Sequence, residues 1–130
     1  MSEVVGSYVY RMSTGEIEVL SLDQSMTFEH SLFANLDAFA NGMAPLVHEN
    51  GRWSLSGTGI DLNMDGFFQA DFPTPENRLA QPRPTAYTAL WWRREGPHRA
   101  AIVRNDETGY IMFRVTQPAE VDEISWRYPS

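Results

Sequence analysis

The chain predicts an all-β fold, an antiparallel β-meander that closes as a small barrel or a two-sheet sandwich, with one short helix near residues 34–42. Three observations carry this. Apolar and polar residues alternate with period two in short runs, as in Glu16–Leu22 and Gly51-Arg52-Trp53-Ser54-Leu55-Ser56, the pattern of half-buried strands. Tight-turn residues (Gly, Asn, Asp, Pro) break the runs. The second half reads as four strands joined by three turns. About nine strands result, and a sheet that long must curl or split to hide its edges.

In chain order, Val4–Met12 is the first strand, Ser13-Thr14-Gly15 a turn, and Glu16–Leu22 the second strand. The apolar phase slips between Val19 and Leu20, so either both faces of that strand are buried or a bulge lies there. Residues 26–43 read two ways. Phe28, Leu32, Leu36, Phe39 and Met43 follow a helical spacing, with Asp23 or Ser25 as N-cap and Asn41-Gly42 as C-cap. The reading adopted is a strand over 26–33 followed by a loop or short helix over 34–42. Glu49-Asn50-Gly51 then reads as a hairpin turn before the Trp53 strand. Gly59–Leu62, a turn at Asp65-Gly66 and a strand over Phe67–Phe72 follow.

Residues 73–84 contain Pro73, Pro75, Pro82 and Pro84, which rules out a central strand and makes this an extended connection. Thr85–Arg94, Arg99–Arg104, Tyr110–Thr116 and Val121–Tyr128 complete the meander. No repeat period indicates a solenoid or propeller. The 130 residues read as one β-domain over 1–130, large enough to bury roughly two thirds of its unfolded surface.

Composition excludes whole classes of chemistry. Without cysteine there is no disulfide, thiolate nucleophile, iron–sulfur cluster or cysteine-ligated zinc. All 10 basic residues are arginine, so a P-loop lysine, a Schiff base and pyridoxal phosphate chemistry are also out. A net charge of −7 argues against nucleic acid as partner, because phosphate contacts need a basic face. Charge is uneven along the chain: 3 Arg against 11 acids over 1–80, 5 Arg against 1 acid over 81–104, and 2 Arg against 5 acids over 105–130. No run approaches the ~18 apolar residues of a membrane span. The N-terminus has neither a basic nor an apolar leader region, so a cytoplasmic location is expected.

The order of strand, turn, Leu20-Ser21-Leu22-Asp23-Gln24-Ser25-Met26-Thr27-Phe28-Glu29, loop and Gly51-Arg52-Trp53-Ser54-Leu55-Ser56-Gly57-Thr58-Gly59-Ile60-Asp61-Leu62 resembles the first half of small lipocalin-like bacterial β-domains, over residues 6–62. The resemblance implies a small barrel or sandwich with an apolar cavity. It names no ligand.

Candidate chemistry is sparse. Asp61-Leu62-Asn63-Met64-Asp65-Gly66 matches the opening of a calcium loop, but position 12, where a bidentate Glu belongs, is Phe72. The simpler reading is an Asp-Gly hairpin with surface aspartates. His30, His48 and His98 have no metal-site spacing, and there is no nucleophile elbow or dinucleotide fingerprint. Neither cofactor nor metal is expected. The strongest candidate is the hairpin over 86–104. If it turns at Glu95–His98, position 94 opposes 99, 92 opposes 101 and 90 opposes 103. Arg94 and Arg99 then face each other, and an anion held beside Trp91, Trp92 and Arg93 would relieve their repulsion. An internal carboxylate is the competing partner for those arginines.

Three functional readings result. The first is a non-catalytic binding module for a small organic anion or an apolar ligand, with Trp91, Trp92, Arg93, Arg94 and Arg99 as ligand-binding residues. The second is an acidic inhibitor or immunity-type protein that masks a basic partner protein. The third is a cofactor-free enzyme with a histidine/carboxylate site in the barrel mouth. Edge strands also offer pairing to a second copy as a homodimer.

Overall fold

The period-two segments become a closed wall of eight strands. The computed structural model describes residues 4–56, 59–69, 86–92, 101–104 and 111–126. The strands are β1 (Gly6–Arg11), β2 (Ile17–Leu22), β3 (Thr27–Phe33), β4 (Val47–Ser56), β5 (Gly59–Gln69), β6 (Ala86–Trp92), β7 (Ala101–Arg104) and β8 (Ile111–Val115). Each pairs antiparallel with the next, and β8 returns to β1 through Ser7↔Val115 and Val9↔Phe113, which closes the barrel. Among the described residues no helix is long and apolar enough to cross a membrane.

The phase slip in β2 is resolved by burial of both faces. Its pairings with β1 and β3 run without a register shift. Leu20 and Leu22 point inward to a core with Tyr8, Phe28, Trp53, Ile60, Leu62, Ile102 and Met112. Ile17 and Val19 point outward, where Val9, Val115, Val121 and Ile124 form a second core. That outer core is covered by α1 (Leu36–Ala40) and by the 3-10 helix Pro118–Glu123. Five residues are too few to form a helix on propensity. Here Asn35 caps the start by accepting from the Ala38 N–H at 2.8 Å, and Phe39 packs on Phe33 with ring centroids 5.3 Å apart.

Three sequence expectations change. Glu49-Asn50-Gly51 is not a hairpin: β4 runs straight through it, paired to β3 by Glu29↔Asn50 and Phe28↔Gly51. Asp65-Gly66 is no turn either, since β5 runs unbroken from Gly59 to Gln69. The two turn-like dipeptides meet at a β-bulge, where Asn50 pairs with Gly66, Gly51 with Met64, and Asp65 is the extra residue. A bulge needs the same permissive backbone as a turn. It also removes the calcium-loop reading, because Asp61 and Asn63 stand on a paired strand rather than a tight loop. Finally, of the ninth strand expected over Val121–Tyr128, residues 121–126 form no strand, and Arg127 and Tyr128 lie outside the described residues. Closure of β8 onto β1 leaves no edge to receive one, and residues 118–123 form the 3-10 helix instead. The proline-rich connection at 73–84 lies outside the described residues.

The β2–β3 turn stands at one end of the barrel. The Asp23 N–H donates to Thr27 O and the Met26 N–H to Asp23 O, while Met26 takes a left-handed φ of 68°. Trp53 reaches across from β4, its backbone N–H donating to Met26 O and its indole Nε1–H to Asp23 O, each at 2.9 Å. Asp23 Oδ1 accepts from the Ser25 N–H and hydroxyl at 2.8 and 2.7 Å. These bonds, the backbone one foremost, hold the Asp23 carboxyl below its ordinary value of 3.8. A group with a lowered folded-state pKa stabilises above its unfolded value and loses that contribution as pH falls through the folded one. Asp23→Asn is therefore expected to be less stable than wild type at neutral pH, with the gap closing below about pH 4; paired urea melts at pH 7 and pH 3 measure it.

Gly6 has the other constrained backbone, with φ 151°. A Cβ there would lie 2.7 Å from Arg114 Nε. The glycine lets the Arg114 guanidinium cross β1 and donate to Val5 O at 2.6 Å.

Candidate functional site

Inward-facing residues form rows around the barrel. One row is Tyr8↔Leu20↔His30↔Glu49, and the next toward the end of β1 is Tyr10↔Glu18↔Leu32↔Val47. His30 thus stands directly opposite Glu49 and diagonal to Glu18, both within side-chain reach in a twisted sheet. Its Nδ1 is 3.1 Å from Glu49 Oε2, and its Nε2 is in hydrogen-bond contact with Glu18 Oε2. Glu18 is 1% exposed, and His30 and Glu49 are 0%. Three ionisable side chains from three consecutive strands therefore meet inside the barrel, beside the core that holds Leu20, Phe28 and Trp53.

The geometry fixes a proton count. A bare imidazole nitrogen and an ionised carboxylate oxygen are both acceptors, so each N···O contact needs one proton. Two protons are shared over the two contacts. The trio is either an imidazolium between two carboxylates or a neutral imidazole with one protonated carboxyl. Both arrangements leave it with one net negative charge, and passage between them moves a proton along an existing hydrogen bond. The trio can thus hold a proton on either side of His30 without a change in total charge.

A second polar group lies on the outer face. Ser31 Oγ is 2.9 Å from His48 Nδ1, and His48 Nε2 is 3.8 Å from Glu29 Oε1. This links serine, imidazole and carboxylate, but Ser31 is central in β3, where its backbone is committed to the sheet. No strand-to-helix elbow exposes the hydroxyl for attack. An open depression of about 500 Å³ adjoins it, floored by the row Ser7, Ser21, Glu29 and Asn50.

The structure sorts the histidines accordingly. His30 faces inward, His48 faces outward, and His98 lies outside the described residues. Among the described residues, no group of three His, Cys, Asp or Glu side chains is disposed to hold a metal ion; both nitrogens of His30 are turned to carboxylates. In the expected hairpin site, β6 and β7 take the register that a Glu95–His98 turn requires, with Leu90↔Val103 and Trp92↔Ala101. Trp91 and Trp92 are on β6, while Arg93, Arg94 and Arg99 lie outside the described residues.

The trio was missed in the sequence because its members are 12 and 19 residues apart, in three strands. The available signal was parity: each of β2, β3 and β4 carries one ionisable residue in its inward set, Glu18 with Leu20 and Leu22, His30 with Phe28 and Leu32, and Glu49 with Val47 and Trp53. No protein-family model, curated protein or solved structure matches the chain.

Proposed function

We propose that the protein is a non-catalytic binding module that holds a small organic molecule within the barrel, anchored by Glu18, His30 and Glu49. One observation carries the reading: a trio of ionisable groups at 0–1% exposure inside the barrel. Well-packed apolar residues of similar volume often stabilise an interior about as well, because the desolvation of buried charges offsets most of their mutual attraction. Buried titratable clusters of this kind concentrate at functional sites. An eight-stranded barrel is also the size that either fills with side chains or encloses one small ligand. Carboxylates accept hydrogen bonds, so the ligand suited to the trio carries N–H or O–H donors. An anion would instead suit the arginines expected at the 86–104 hairpin.

Native mass spectrometry of protein purified without denaturant tests this. The expected result is a non-covalent mass surplus on wild type that falls by about tenfold or more in occupancy in Glu49→Gln, as for loss of one charged hydrogen-bond partner. A bare mass for wild type, unchanged after incubation with its host's small-molecule extract, would remove the proposal. A second reading, a cofactor-free acid/base enzyme, is favoured by the carboxylate at each nitrogen of His30. Chemical change of the bound molecule on incubation would separate it from pure binding.

A further inference from the structure

We infer that the segment from Gln117 to Trp126 is a strap that opens and closes the barrel end above the trio, with the Trp126 indole as its latch. The inference rests on the binding reading, since it describes how a ligand enters. Tyr10 points into the barrel and Phe113 points out of it. Trp126 makes edge-to-face contacts with both, at centroid distances of 5.8 and 5.6 Å. A ring that touches an inward and an outward residue of the adjacent strands β1 and β8 must lie on the rim. It is the rim nearest the trio, because Tyr10 is the direct cross-strand neighbour of Glu18. At the opposite end the β2–β3 turn is tied to Trp53 by a backbone and an indole hydrogen bond.

The strap is fastened by two buried side chains and, around them, by exposed polar contacts. Its body is a short 3-10 helix, an inherently weak element. Val121 and Ile124 anchor it in the outer core, and the Trp126 Nε1–H donates to Val121 O at 3.0 Å. Beyond these, Asp122 pairs with Arg11 at 2.7 Å, an ion pair with side chains 34% and 64% exposed, and such pairs hold weakly in water. Thr116 donates to Glu120 through its N–H and hydroxyl. Outside the Val121 and Ile124 anchors the fastenings are exposed and polar, the kind that let a segment open locally, ahead of global unfolding.

The test is carbethoxylation of histidines by diethyl pyrocarbonate on the whole protein, read by peptide mass spectrometry with His48 as internal reference. His30 is expected to react slowly in wild type. Trp126→Ala is expected to raise the His30 rate, relative to His48, by about tenfold or more, and Asp122→Ala by a few-fold. Trp53→Phe weakens the opposite end and is expected to leave the ratio unmoved. An unchanged ratio in Trp126→Ala overturns the strap, as does an equal rise in Trp53→Phe. Should Trp126→Ala not fold, an unchanged ratio in Asp122→Ala overturns it. The readout needs no ligand, so the two ideas fail separately: a faster His30 with no mass surplus defeats the binding reading alone, whereas a mass surplus with an unmoved ratio defeats the strap alone.

Discussion

His30→Ala is expected to lower the unfolding free energy by about 3–5 kcal/mol, the usual cost of breaking a buried ionic group by removing one partner. The alanine leaves Glu18 and Glu49 facing a void in the barrel, at 1% and 0% exposure, where an ionised carboxylate loses its hydration and gains nothing from the ring. The informative companion is the triple variant Glu18→Met, His30→Leu, Glu49→Met, which fills the same space with apolar atoms. It is expected to recover most of the loss and to stand within about 1–2 kcal/mol of wild type, because well-packed apolar replacements of buried ion groups are often neutral or stabilising. Urea melts of the three proteins decide it. A loss below about 1 kcal/mol in His30→Ala would mean that the ring is not holding the carboxylates. A triple variant as unstable as the single one would make the trio a structural element and remove the argument that it is kept for binding.

That contrast matters because, among the described residues, the trio is the feature of the interior that packing does not account for. Tyr8, Leu20, Phe28, Leu32, Ile60 and Leu62 are the kind of buried, mostly apolar residues expected on the inner wall of a barrel. His30 and Glu49 share a row with Tyr8 and Leu20, and Glu18 shares the next with Tyr10, Leu32 and Val47, so register alone brings the three together. A shift of β3 by one residue would send His30 outward and break both contacts at once.

How far the sequence could be read follows from which information is local. The strands β1 and β8, the short helix after β3 and the β6–β7 register were legible, since each depends on neighbouring residues, whereas β2 showed a phase slip and 26–33 also fitted a helical spacing. The Asn50-Gly51 and Asp65-Gly66 pairs were legible as breaks in regular backbone but not as a bulge, because only pairing between β4 and β5 distinguishes a turn from an extra residue. Ile124-Ser125-Trp126 alternates like a strand. What overrides it is a long-range fact, the closure of β8 on β1. The site was hidden for the same reason. Glu18, His30 and Glu49 each look like an ordinary polar residue in a half-buried strand, and only the inward parity of all three, combined with register, shows that they meet.

Trp53 offers the second large effect, and it tests the turn at the opposite end. The side chain is 2% exposed, and its indole N–H donates to Asp23 O while its backbone N–H donates to Met26 O. Trp53→Ala is expected to cost about 3–5 kcal/mol, as for large-to-small changes at buried aromatics. Trp53→Phe keeps a ring in place and leaves the backbone bond intact, so it isolates the indole hydrogen bond and a modest void, and is expected to cost about 1–2 kcal/mol. The two contributions also differ in where they act. Loss of ring volume loosens the core shared with Phe28, Ile60 and Leu62, so Trp53→Ala should speed amide exchange around that end of the barrel. Loss of the indole donor frees only Asp23 O, which the Met26 N–H also uses. In Trp53→Phe, faster exchange should therefore be confined to the 23–27 turn, with the amides of β1 and β2 slow as before. Exchange that quickens evenly in both variants would show that the turn is part of the cooperative core, and that Met26 is held in its left-handed conformation by packing rather than by the hydrogen bonds to Trp53.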